Sequence, residues 1–191
     1  MKKMIIRRIE ESVDIKKKIL NDQQQISLIE NSAQMIIDTL RDGGKVLTCG
    51  NGGSAADAQH IAAELQGKFY MQRGSLSAIA LTTNTSAITA ISNDYGFSEA
   101  FVRQLQGVGS SGDILIGIST SGNSLNVIRA FEEARRIGLK RIAFTGETGG
   151  QLGSLSDICI NVPSKDTPRI QEAHILIGHI ICELVELELF G

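Results

Sequence analysis

The stretch VLTCGNGGSAADAQHIAAEL, Val46 to Leu65, passes from a short apolar run through a glycine turn into a segment with helical spacing. Such a strand, turn and helix is the opening unit of a parallel α/β sheet, and its turn lies at the carboxyl end of the strand, where ligands of these folds collect. Glycines at the turn let the main chain approach a ligand closely, and the helix that follows offers amides without intrahelical acceptors. On that helix His60 and Glu64 stand four residues apart and share one face. By spacing alone, such a pair is on most helices an ordinary exposed ion pair or hydrogen bond.

Outward from this unit the same rhythm repeats. KVLTC (45–49), SAIAL (77–81), DILIGI (113–118), RIAFT (141–145) and DICINV (157–162) read as strands. Helical spacing is read around 54–67, 85–92, 97–107, 123–138 and 168–190. Before the first strand, Met4 to Leu40 holds neither Gly nor Pro, and Asn21-Asp22 supplies a cap between two helices. Gly43-Gly44 then closes the second helix. Strands separated by helices pair in parallel through right-handed crossovers. The expectation is an α/β fold, a three-layer αβα sandwich on a five-stranded parallel sheet, as one domain over 1–191 with an N-terminal helical segment at 1–43.

Composition narrows the class. Nineteen basic and 21 acidic side chains give a net charge of −2, which provides no field to gather nucleic acid or an anionic membrane surface. No segment approaches the roughly 18 apolar residues of a membrane span. Neither an apolar leader nor a small-residue cleavage pattern follows the charged start, and Cys49, Cys159 and Cys182 are scattered in apolar runs. Buried thiols in a reducing, cytoplasmic compartment are expected.

Two loops carry the chemistry. Gly50 to Ala55 fits G-x-G-x-x-A, yet AIALTTNT (78–85) lacks the acidic residue that would hold a dinucleotide's ribose. No Gly-Lys-Ser/Thr follows it, which removes a Walker loop. The same glycines would also serve a packing corner. The second loop, Ser119-Thr120-Ser121-Gly122-Asn123-Ser124, sets four hydroxyls within six residues at the start of a helix. Hydroxyls and N-terminal amides cradle one compact phosphate without lysine or magnesium. They also cap helices. In TPRIQEAHILIGHIICELVE, Gln171, His174 and His179 interrupt an apolar helix, and polar groups there need partners. Gln171 and His179 stand about 80° apart around the axis and about 12 Å along it. Both would reach one ion only by leaning together or from different subunits. His174 reads as a core or interface histidine. Two imidazoles, a carboxylate and an amide oxygen make a zinc shell.

The loops CGNGGS and GISTSGNS, the pair in QHIAAEL, and RIQEAHILIGHIICELVE together resemble the phosphoheptose isomerases, a branch of the sugar isomerase (SIS) domain family, over nearly the whole chain. The resemblance implies a homotetramer with active sites at subunit contacts and a five-stranded parallel sheet. It implies conversion of sedoheptulose 7-phosphate to D-glycero-D-manno-heptose 7-phosphate, the first step toward the ADP-heptose of lipopolysaccharide. It further implies one zinc ion per subunit on His60, Glu64, Gln171 and His179, and substrate contacts at Asn51, Gly52, Gly53, Glu64, Asn93, Asp94, Ser119, Thr120, Ser121, Ser124 and Gln171. Glu64 and His179 would be catalytic, as base and as acid–base partner. A replication regulator of the same family, which binds the initiator protein and performs no isomerisation, is the alternative. It lacks the acidic and histidine positions that match Glu64 and His179, and both are present here.

Overall fold

The computed structural model describes all 191 residues. Two helices come first, α1 (Lys2–Asn21) and α2 (Gln23–Arg41). Asp22 separates them as expected, its carboxylate accepting from the amides of Gln24 and Gln25, which leaves two N-terminal donors of α2 satisfied. There follow β1 (Val46–Gly50), α3 (Gly53–Gln66), β2 (Ala78–Ala80), α4 (Thr85–Tyr95), a 3₁₀ turn (Phe97–Glu99), α5 (Ala100–Val108), β3 (Ile114–Ser119), α6 (Leu125–Arg136), β4 (Lys140–Thr145), α7 (Gly150–Leu155), β5 (Ile158–Asn161) and α8 (Thr167–Phe190).

All five strands are parallel, in the order β2-β1-β3-β4-β5. The order reverses at β1 and β3, so their carboxyl ends, Gly50 and Ser119, frame the switch point at which the two loops of interest emerge. Period-two alternation sends Val46, Ile114, Ile116, Ile118, Ile142 and Phe144 into one core with α1, α2, α3 and α8. Leu47, Cys49, Leu115 and Ala143 point the other way, into a core with α5, α6 and α7. Both faces of the sheet are therefore covered, as a parallel sheet requires.

Three details differ from the sequence expectations. β2 is an edge strand of three residues, not five. The helix read at 97–107 is a 3₁₀ turn that hands over to α5 at Ala100. The short helix α7 between β4 and β5 lay outside the sequence expectations. Gly-rich Gly146 to Gly153 carries no helical period, and α7 forms because Leu152 drops into the core beside α6.

Candidate active site

Helices α3 and α8 lie side by side on one face of the sheet and run in the same direction. The Gln171 amide sits over Gly53, within 2.8 Å of where a side-chain carbon would stand, and Ile61 fills the space left by Gly178. The room at Gly178 thus serves helix packing. At the next step along the pair, His60 Nε2 lies 3.0 Å from Glu64 Oε1 and 3.3 Å from His179 Nε2. The two imidazoles meet edge to face with centroids 4.8 Å apart. Phe69 approaches the His179 ring at 5.7 Å.

One ligand atom from each of His60, Glu64 and His179 lies within 4.8 Å of the others. Lone-pair atoms converging on one point call for a positive centre between them, a proton or a metal ion. Tetrahedral ligands about 2.1 Å from zinc stand about 3.4 Å from one another, close to the 3.0 and 3.3 Å that separate His60 from Glu64 and from His179, so the donor set is of the kind and spacing that a zinc ion would draw together. Gln171 is at the glycine turn instead. Gly53 and His60 are seven residues apart on α3, about 10 Å along the axis. Within one chain, Gln171 joins Asn51, Gly52 and Gly53, away from the imidazoles.

At the glycine turn, Asn51 and Asn126 exchange two hydrogen bonds of 2.8 Å through their side-chain amides. Asn126, buried in the first turn of α6, ties the first loop to the second and was absent from the sequence candidates. Its signal was a polar residue on the buried face of an amphipathic helix.

In the second loop Ser119 Oγ and Ser124 Oγ are 2.9 Å apart. Ser124 occupies the N-cap position of α6, yet its side chain makes no cap bond. The hydroxyl is spent on Ser119 and not on an α6 amide, which speaks against simple capping. Gly122 has φ +66 and abuts Gly149, where a side chain would overlap the carbonyl oxygen. The loop is thereby pressed onto the start of α7, whose Gln151 amide donates to Asn123 Oδ1 at 3.1 Å. Thr120 and Ser121 line a cleft of about 260 Å³ with Glu147, Ser164, Lys165 and Thr167. Lys165 pairs with Glu147 at 3.2 Å within that lining.

Asn93 and Asp94 stand exposed near the end of α4, bonded to each other at 2.9 Å, and no hydrogen bond ties them to either loop. His174 is fully buried, as read from the sequence. Its Nε2–H donates to the Thr145 carbonyl at 3.0 Å, and burial pulls its pKa down to about 4, against that bond. Asp57, one turn before His60, adds a half-buried carboxyl that burial pushes up to about 6 while His60 opposes the shift. Cys49 and Cys182 are buried thiols pushed up to about 12, whereas Cys159 is partly exposed. No helix is long and apolar enough to cross a membrane.

Residues 9–146 match the model of the SIS domain. The chain belongs to the SIS domain family. Among SIS proteins it is 53% identical over 191 residues to a phosphoheptose isomerase of Clostridium acetobutylicum, covering 100% of this chain and 97% of that one. It is 54% identical over 182 residues to the phosphoheptose isomerase of Aneurinibacillus thermoaerophilus, covering 95% of this chain and 92% of that one. The structure of a phosphoheptose isomerase from Neisseria gonorrhoeae superposes with a TM-score of 0.92 at 42% identity, over 97% of this chain and 98% of that one.

Proposed function

We propose that this SIS domain, with residues 1–43 as its assembly arm, converts sedoheptulose 7-phosphate to D-glycero-D-manno-heptose 7-phosphate in the cytoplasm, at the head of ADP-heptose synthesis for lipopolysaccharide. The observation that carries the reading is the convergence of His60, Glu64 and His179 on one point, in a chain whose second loop sets Ser119 and Ser124 hydroxyl to hydroxyl at 2.9 Å. The phosphate would sit on Ser119, Thr120, Ser121 and Ser124, with the first amides of α6 behind it. Asn51, Gly52 and Gly53 would contact the sugar hydroxyls. Glu64 turns Oε1 to His60 and takes the C1 proton of the ketose with its other oxygen, giving an enediolate. His179 gives a proton to O2 and takes the one on O1, and Glu64 returns its proton to C2. Proton and charge then balance over the cycle.

The residues that would hold zinc are His60, Glu64 and His179, with Gln171 supplied by a second copy. Bound zinc would polarise the substrate carbonyl and stabilise enediolate charge. That division of ligands needs a second copy, and a homotetramer is the assembly we infer. Asn93 and Asp94, exposed within one chain, would meet substrate across the same contact. The assembly is supported by the apolar faces that α1 and α8 leave open, Ile5, Ile6, Ile9 and Val13 on one and Ile180, Leu184 and Leu187 on the other. Sedoheptulose 7-phosphate supplied to metal-stripped and to zinc-loaded protein tests the reading. Aldose formation restored by zinc is expected; zinc-loaded protein that forms none contradicts it.

A further inference from the structure

Glu186 lies seven residues, or two helical turns, beyond His179 on α8 and therefore near the same face. It is a carboxylate only 1% exposed. It accepts hydrogen bonds from the main-chain amides of Phe69 (2.8 Å), Tyr70 (2.6 Å) and Met71 (2.7 Å), and from Arg73 Nε (2.7 Å). Burial opposes its ionisation; the three amides and Arg73 outweigh that and hold it at about 2. Arg73, with a side chain 1% exposed, spends its other nitrogens on main-chain oxygens. One donates to Glu64 O at 2.9 Å and another to Leu65 O and Gly74 O at 2.9 Å each. Glu64 and Leu65 belong to the last turn of α3, where carbonyls lack intrahelical donors.

One ion pair thus fastens three pieces of chain: α8, the segment 69–74, and the carboxyl end of α3. The converging groups are divided between two of these, His60 and Glu64 on α3 and His179 on α8. The third piece carries Phe69, whose ring stands 5.7 Å from His179 and 4.5 Å from Tyr70. Stability alone explains such a pair poorly, because desolvating two charges offsets most of their attraction and an apolar pair of the same volume often holds a fold as well. What this pair supplies is geometry. It has a rigid fork on one side and a carboxylate saturated by fixed donors on the other.

We propose that Glu186 and Arg73 are positioning residues for the reaction, setting the separation of α3 from α8 and holding Phe69 as an apolar wall against His179. The proposal rests on the reading of His60, Glu64 and His179 as the reaction centre. Neither positioning residue touches the substrate. Their removal is expected to lower kcat while leaving KM near its value, since the hydroxyl cradle stands on β3 and α6.

The chain contains three histidines, so its imidazole C–H resonances report the site directly, with His174 as an internal reference in the core. The variants are Glu186→Gln, Arg73→Lys and Phe69→Leu, each checked for a cooperative thermal transition well above the assay temperature. Glu186→Gln and Arg73→Lys are expected to shift His60 and His179 and leave His174 in place, with kcat down at least tenfold and KM within threefold. Phe69→Leu keeps the ion pair and is expected to move His179 alone. Should Glu186→Gln fail to fold, the other two variants carry the same test. Unmoved His60 and His179 resonances overturn the positioning role whatever turnover does, and so does an equal shift of His174. Shifted resonances with undiminished turnover would instead overturn the reading of the three groups as the reaction centre.

Discussion

At the scale of single residues, the two serines that face each other across the second loop separate a phosphate cradle from a helix cap. Ser124 makes no cap bond, so its replacement costs α6 little while removing a donor for an anion. Ser119→Ala with Ser124→Ala is expected to weaken binding of the sugar phosphate at least tenfold and to leave the melting temperature within a few degrees, as read by titration calorimetry and thermal melting. Unchanged affinity would reduce the loop to a connection. His60 with Glu64 was legible in the sequence, because four residues on one helix is a local distance. His179 beside them was expected from the family resemblance, whereas its own helix showed only a polar residue that needs a partner. Asn126 against Asn51, 75 residues away, and Glu186 against Arg73, 113 away, were not legible. Nothing in a local pattern reports which distant backbone amides a carboxylate will meet.

At the scale of elements, periodicity identified every strand, and it failed where tertiary contact sets the conformation. α7 exists because Leu152 is buried against α6, and β2 is cut to three residues at the sheet edge, where one neighbour is missing. The seam between α8 and β4 is closed by His174 on the Thr145 carbonyl. Its folded pKa of about 4 lies below the ordinary 6.5, so the unfolded chain takes up the proton first. Stability from this group is whole above 6.5 and declines as the pH falls toward 4. The decline amounts to about 3 kcal/mol by linkage. His174→Gln keeps a donor for Thr145 and cannot be protonated. Denaturant unfolding at several pH values should show the wild type losing about that much more than the variant across the window. Parallel curves would mean that the imidazole is protonated without cost in the fold.

At the scale of the whole molecule, α1 and the outer face of α8 present apolar surface for further copies of the chain. Ile5, Ile6 and Ile9 are each about half exposed or more (60%, 46% and 59%), and an apolar stripe of that length on a free helix is unusual. Light scattering at micromolar concentration is expected to give four chains. Ile5→Asp with Ile9→Asp should release smaller species that have lost turnover, because Gln171 would no longer arrive from a second copy. A monomeric wild type would remove the shared site. The central claim, however, is proton transfer by Glu64, and deuterium oxide examines it most directly. With sedoheptulose 7-phosphate and zinc-loaded protein, nuclear magnetic resonance should show the aldose forming with deuterium at C2. Glu64→Gln keeps size and hydrogen bonding, so it should bind the sugar phosphate and slow both exchange and turnover by about 10²–10⁴-fold. Exchange at the wild-type rate in that variant would contradict the account.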